Sequence, residues 1–360
     1  HMAPGGIYVR QGGAPENPYA YELLPSIVQP DQPKHFRAAY AGIQIYQGGI
    51  YPADTHGPVF FGNIHDNAIH EEALEPVGAT FKAKPVRDFL RANDGWFRPV
   101  SIQTGPDGFL WVMDWCDKSP CYQNAQANPA GVDREKGRIW RVCYTGSEAG
   151  KKLAGMSREE KEMDVRGISD KKLLEELYTA NNWRSRTAIY EIARRREKAI
   201  FDELEKDLRT NASAEKKLQI LWALMASDRT GHYMETMPQT GKERMIAATT
   251  LSTHAPEAFL RAWSLFAIEH GRRHLLHLRN MDQGIDDACV TSARDPDSSV
   301  RKAAAIVFRS ATAGTLTGTG RNPLGFTVGD PKEDEKMQAA TFEKHWRFLA
   351  GLLEASTDAD

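Results

Sequence analysis

The sequence predicts an α+β protein of more than one domain, an antiparallel β part followed by an α-helical part, and three observations predict it. Residues 1–150 hold 17 of the 29 Gly and 14 of the 19 Pro, so turn-forming residues crowd the first part. Residues 93–117, closed by Gly137-Arg138-Ile139-Trp140-Arg141-Val142, read as strand, tight turn, strand, loop, strand. From Ser157 onward the apolar period lengthens to about 3.6, that of a helix. With 360 residues the chain can bury two cores, and the break in composition sets the domains at 1–150 and 151–360.

Residues 3–36 mix short β-like pieces, Gly6 to Gln11 and Leu23 to Val28, with Gly-Gly and many prolines, and read as a loop-rich segment. Ala41 to Gln47, Val59 to Ile64, Ala68 to Leu74 and Ala79 to Lys82 follow as antiparallel strands of one propeller-type blade. In the next, Pro99 to Gln103 alternates, Gly105-Pro106-Asp107-Gly108 makes a turn, and Phe109 to Met113 is an apolar strand. A six-bladed ring takes on the order of 300 residues, at roughly 40–50 per blade. About 145 are available, so the blades are two or three and the propeller is partial. Its edges then have to be hidden by packing on the helical part, by dimerising or by association with a further segment.

In the second part, Leu173, Leu174, Leu177 and Tyr178 share one helical face, and Thr187 to Arg196 forms the next helix. Further helices are read at Ile200 to Leu208, Ala214 to Ala226, Lys242 to Leu251, Ala255 to His270, Asp286 to Ala293 and Lys302 to Arg309. The string Asp295-Pro296-Asp297-Ser298-Ser299-Val300-Arg301 reads as a HEAT-like turn, with Asn182-Trp183-Arg184-Ser185-Arg186 as a looser copy. In such a turn Asp caps the second helix, Val fills the core and Arg reaches a neighbouring repeat. Repeats of this kind stack into an α-helical solenoid with a concave face. Residues 311–336 read as an inserted loop before a last amphipathic helix around Met337 to Glu354.

Charge excludes one class of partner. Residues 1–150 carry 13 Lys+Arg against 16 Asp+Glu and the remainder 33 against 32, so neither half is a basic surface for nucleic acid. No run approaches the roughly 20 apolar residues of a membrane span, and the N-terminus lacks a basic-then-apolar signal pattern. His1-Met2 reads as a tag scar or as native sequence. Cys116 and Cys121 bracket a short loop and are either bridged or free thiols. No Cys-x-x-Cys-His is present for haem attachment, and no nucleophile elbow, P-loop or dinucleotide fingerprint occurs.

Six segments carry a resemblance: Gly42-Ile43-Gln44-Ile45-Tyr46-Gln47-Gly48-Gly49, Phe61-Gly62-Asn63-Ile64-His65-Asp66-Asn67, Trp96-Phe97-Arg98-Pro99, Gly105-Pro106-Asp107-Gly108, Asp114-Trp115-Cys116-Asp117 and Gly137-Arg138-Ile139. Together they make roughly residues 37–145 resemble the membrane-bound dehydrogenase-like proteins of planctomycete and verrucomicrobial bacteria. The propeller of those proteins is related to soluble quinoprotein sugar and sorbosone dehydrogenases and is followed by HEAT-like repeats. The resemblance implies a parent that oxidises a sugar or related alcohol with pyrroloquinoline quinone and Ca²⁺ and passes electrons to a cytochrome c domain. It also implies a periplasmic or cell-envelope location, and it makes this chain a C-terminal section without the first blades.

By that resemblance Arg98 contacts the quinone carboxylates, for which a planar guanidinium is suited; the alternative is a strut stacked on Trp96 or Phe97 and paired with Asp94. His65, Asp66 and Asn67, with His70 and Glu71 close by, are the densest set of potential metal ligands, and Asp54 and His56 join only if the fold converges. The alternative is a blade-end turn. Asp114 and Asp117 are open to Ca²⁺ binding, to acid–base work or to bonding their own backbone. His270, His274 and His277 share a helical face and read as a solvated one. The catalytic base remains unassigned. The reading is a non-catalytic section of a quinoprotein dehydrogenase-like protein. The alternatives are a scaffold that docks a protein or polysaccharide through the solenoid, and a metal-assisted hydrolase or lactonase using His65, Asp66 and Asn67.

Overall fold

The computed structural model describes residues 39–55, 57–78, 80–118, 136–156, 164–210, 213–228, 251, 253–274, 288–312, 343 and 346–355. The readings made for residues 3–36, His56, Cys121, 242–250, His277, 313–336 and 337–342 fall outside them.

The chain is α+β. Strands β1 (Tyr40–Ile45), β2 (Val59–Asn63), β3 (Ala68–Val77) and β4 (Thr80–Arg91) form an antiparallel meander in chain order. A second meander joins β5 (Pro99–Thr104), β6 (Leu110–Asp114) and β7 (Arg138–Val142). The hairpin of β3 and β4 is longer than the sequence suggests. Pro85 argues against a strand there, but β4 is the edge of its sheet, where a missing N–H is tolerated.

The two sheets pack face to face. Phe60 and Ile69 of the first meet Ile102, Leu110 and Val112 of the second, all of them buried. Close approach depends on two glycines. A Cβ on Gly62 would sit 2.4 Å from the Pro99 carbonyl oxygen, and one on Gly42, at φ +65°, 2.7 Å from Ser101 Cα. Both contacts are with backbone, which cannot swing aside, so β1 and β2 lie directly on β5.

Two stacked tyrosines, with ring centroids 4.3 Å apart, close the end of this core. The Tyr46 hydroxyl donates to the Gly108 carbonyl (2.8 Å) and accepts from the N–H groups of Ile50 and Tyr51 (3.0 Å each). The Tyr51 hydroxyl donates to the Val142 carbonyl (2.5 Å) and accepts from Leu110 N–H (3.1 Å). Burial pushes both hydroxyls above their ordinary pKa, so they remain donors.

Helix α1 (Glu148–Gly155) begins at a Ser147 cap, whose Oγ accepts from Gly150 N–H. It packs Leu153 and Ala154 against the β core. The remaining helices, α2 (Asp170–Leu177), α3 (Asn182–Arg195), α4 (Lys198–Arg209), α5 (Ala214–Asp228), α6 (Ala258–His274) and α7 (Ser298–Thr312), pack mainly against near neighbours in the chain. Leu173, Leu177, Ile192, Phe201, Leu204 and Ile220 fill one cluster. A second holds Leu265, Ile268, Val300, Val307 and Phe348, and α6 contributes to both. Residues 346–355 are helical, and Phe348 stacks on Phe308 at 3.9 Å.

The turn at Asp295 behaves largely as read. Asp297 caps α7, its Oδ1 accepting from Ser299 N–H at 2.8 Å, and Val300 is fully buried. The arginine contact runs the other way, however. Arg301 donates to the carbonyls of Asp295 and Pro296 in its own turn, whereas Arg261 from α6 grips the Asp295 carboxylate through two bonds of 2.7 and 2.8 Å. Arg261 also donates to the carbonyls of Ala255 and Pro256. The strings Ala255-Pro256-Glu257 to Arg261 and Asp295-Pro296-Asp297 to Arg301 are thus two copies of one device. The looser copy is displaced by one: the cap is Asn181, and Asn182 to Arg186 is already helix.

Beyond α1, hydrogen bonds among the described residues tie the helices to the β part at the β5–β6 turn and the end of β1. Asn181 Nδ2 donates to the carbonyls of Gly105 and Pro106 (3.1 Å each), and Asn182 N–H to the Gln47 carbonyl (2.8 Å). The helices therefore hold the ends of turns, while β7 and the β3–β4 hairpin keep exposed Ile139, Val77 and Phe81.

Candidate functional site

The sequence-derived candidates gather where the β2–β3 turn meets the segment entering β5. Arg98 is the centre of this region and is buried, with 4% of its surface exposed. Its guanidinium donates to three backbone carbonyls, Phe97 (2.9 Å), Gly95 (2.8 Å) and Lys118 (2.8 Å), and to the Asn67 side-chain oxygen. Only Nε lacks a hydrogen-bond partner among the described residues. Burial draws the guanidinium below its ordinary pKa, opposed by Asp117, Asp114 and Asp94.

Asp114 completes the arrangement from the end of β6. One carboxylate oxygen accepts from the N–H groups of Arg98 (2.7 Å) and Cys116 (2.8 Å), the other from Arg138 Nε (2.7 Å) and Trp140 Nε1 (2.8 Å). Four donors saturate a buried carboxylate. Asp94 accepts from Trp96 N–H (2.9 Å) and from Arg138, contacts that hold its carboxyl below the usual range. Arg138 in turn lies 5.1 Å from the Trp140 ring centroid.

The other end of the sheet carries the same grouping of residue types, a set that sequence reasoning missed. Asp107 accepts from Phe109 N–H (3.2 Å), Trp111 Nε1 (3.1 Å) and Arg141 Nε (2.6 Å). Arg141 lies 4.8 Å from the Phe109 ring centroid and donates to the carbonyls of Leu153 (2.5 Å) and Ala154 (3.1 Å), tying α1 to the sheet. The signal was present in the run Arg138-Ile139-Trp140-Arg141, whose partners Asp107 and Asp114 bracket β6. It was hidden because the partners meet through strand pairing rather than local spacing.

Two of the three proposed metal ligands are spent. Arg91 grips Asp66 with two bonds (3.1 and 2.8 Å), and this contact holds the Asp66 carboxyl below its ordinary pKa. Asn67, at φ 52°, makes the left-handed turn and gives its oxygen to Arg98. His65 N–H donates to Asn63 (3.2 Å). His70 is buried and faces Asp88 through Nδ1 (2.7 Å) and Asn63 through Nε2 (3.1 Å). Burial pushes Asp88 up, but hydrogen bonds from Arg91 and His70 outweigh it and leave the carboxyl below its usual range. Glu71 is paired with Arg87 at 2.7 Å. Among the described residues no group of three His, Cys, Asp or Glu side chains is placed to hold a metal.

These observations test the cofactors that the resemblance implies. A quinone carboxylate needs the outer nitrogens of Arg98, and those already donate to backbone. A Ca²⁺ or Zn²⁺ ion needs free carboxylate oxygens, and those of Asp66 are held in an arginine fork. Neither group fits the residues assigned to it. Asp117 is buried. Cys116 is a free thiol, and Cys121 lies outside the described residues. His270 and His274 lie in α6.

A family model described as a domain of unknown function (DUF7133) matches residues 15–146. No curated protein and no solved structure matches the chain. No helix among the described residues is long and apolar enough to cross a membrane.

Proposed function

We propose that this chain is a non-catalytic section of a quinoprotein sugar or alcohol dehydrogenase-like protein, in which the two sheets are blades of a partial propeller and the helices a HEAT-like solenoid. The observation that carries the reading is saturation. Arg98, Asp114, Asp66 and Asn67, the side chains that chemistry would require, are consumed as internal struts. The face-to-face packing of β1 and β2 on β5 is the relation expected of neighbouring blades, and the repeated Pro-acid-to-Arg device in α6 and α7 is that of stacked repeats. In the parent the sugar-oxidising site, its quinone and Ca²⁺ would be furnished by other blades and the electron acceptor by a cytochrome c domain, in the periplasm or cell envelope.

Titrating the chain with pyrroloquinoline quinone and Ca²⁺ in the presence of sugars and a redox dye tests this. The reading calls for no dye reduction and no change in quinone absorbance; sugar-dependent turnover would overturn it.

A second reading, a protein-docking scaffold, draws on the last helix. Its inner face is buried through Phe348, yet Trp346, Leu349 and Leu353 are exposed at i, i+3 and i+7. An exposed apolar face at this helical spacing is one that a partner surface can cover. The hydrolase reading has no such support, because two of its three proposed ligands are already paired.

A further inference from the structure

A cleft of about 440 Å³ opens between the β4 edge of the first sheet and the end of β7. Its walls are Tyr51, Phe89 and Tyr144, with Pro52, Thr55 and Val142 completing an apolar lining, and Arg87, Asp88 and Cys143 at its polar positions. The rings of Phe89 and Tyr144 lie 6.0 and 6.3 Å from that of Tyr51, so three aromatic surfaces converge.

The hydrogen-bonding capacity of the cleft is nearly exhausted. The Tyr51 hydroxyl is taken by Val142 and Leu110, and the Cys143 thiol donates to the Arg141 carbonyl at 3.8 Å. Asp88 is held by His70 and Arg91. Arg87 is the exception. Its Nε is bonded to the buried Glu71 at 2.7 Å, while its outer nitrogens have one nearby carboxylate, exposed Asp54, at 3.7 Å. The cleft thus offers aromatic walls and one guanidinium edge.

A sugar requires several donors and acceptors together, and the Tyr51 and Asp88 acceptors here are engaged, which leaves the Tyr144 hydroxyl. A ligand with a flat ring for the aromatic walls and a carboxylate for the guanidinium meets what is offered. From the walls, the volume and the unbonded outer N–H groups of Arg87, we infer that this cleft binds a small single-ring aromatic carboxylate. The site is separate from the Arg98 cluster and does not depend on the parent's reaction.

Cys143 is exposed at the cleft and reports its occupancy. The full chain is treated with iodoacetamide, and alkylation of Cys143 and Cys116 is followed by peptide mass mapping with 4-hydroxybenzoate as the probe. At about ten times its dissociation constant the probe slows Cys143 alkylation roughly tenfold and leaves Cys116 unaffected. 4-Hydroxybenzyl alcohol, cyclohexanecarboxylate and glucose give no protection. Arg87→Gln abolishes protection, and Arg87→Lys, which keeps a cation for Glu71, retains part of it in a chain whose circular dichroism matches the original. Absence of protection, equal protection by the alcohol or by glucose, or full protection in folded Arg87→Gln would overturn the inference.

Discussion

The side-chain amide of Asn181 donates to the Gly105 carbonyl across 3.1 Å, and this bond fastens the helical part to the β5–β6 turn. The oxygen of the same amide caps α3, accepting from Trp183 N–H at 2.9 Å and Arg184 N–H at 3.4 Å. One residue therefore starts a helix and docks it. Asn suits both tasks, since its amide carries an acceptor oxygen and a donor nitrogen as separate atoms on one short arm.

Asn181→Ser keeps a capping oxygen and loses the long-reaching docking donor, whereas Asn181→Ala loses both. Urea unfolding followed by circular dichroism should show the Ala variant less stable than the Ser variant by about 1 kcal/mol, the worth of a cap. Amide exchange at Gly108 and Phe109 should accelerate in both variants. Equal stability of the two would mean that the cap contributes nothing.

Asp114→Asn leaves the outline of the side chain and removes the charge shared by Arg138, Trp140 and two backbone N–H groups. Breaking such a buried pair costs roughly 3–5 kcal/mol. Thermal melts of Asp114→Asn and Asp107→Asn should both fall well below the parent. A loss confined to one would break the equivalence drawn between the two ends of the sheet.

Gly62→Ala drives a methyl into the Pro99 carbonyl oxygen, and relief requires the sheets to separate. Overpacking of this kind costs about 1–3 kcal/mol, while Gly57→Ala, in open space but at φ +103°, tests backbone strain alone. Denaturant midpoints of the two variants separate the effects. Gly62→Ala should be the more damaging.

Acid should loosen the helical part through Glu191. The bonds from Arg194 and then Arg195 hold its carboxyl down at about 2, against an ordinary 4.5. A depressed folded value stabilises above the unfolded value and is lost as pH falls through the folded one, so the window runs from about pH 4.5 down to about 2. Melting temperatures across this window should fall, and Glu191→Gln should flatten its part of that slope while lowering stability at neutral pH.

Much of the fold was legible because its signals were local. The Gly105-Pro106-Asp107-Gly108 turn and the Asp297 cap each use residues within a few positions of one another. Helix α1 escaped because it is short, although Ser147 followed by Glu148 is a helix start. The full length of β4 escaped because Pro85 and its charges disfavour strand locally, and pairing with β3 overrides that. At the candidate site, residue types were legible and their partners were not. Spacing brings His65, Asp66 and Asn67 together as a ligand set, but Arg91 and Arg98, more than twenty positions away, had already claimed two of them.

The central claim, that Arg98 is a strut and not a cofactor ligand, is tested most directly by the melting temperature of the parent chain and of Arg98→Lys, each with and without pyrroloquinoline quinone and Ca²⁺. The account predicts that Arg98→Lys melts well below the parent, because an ammonium cannot reach Gly95, Phe97, Lys118 and Asn67 together, and that neither protein shifts when quinone and calcium are added. A variant as stable as the parent, together with a quinone-dependent rise in the parent that the variant lacks, would contradict it.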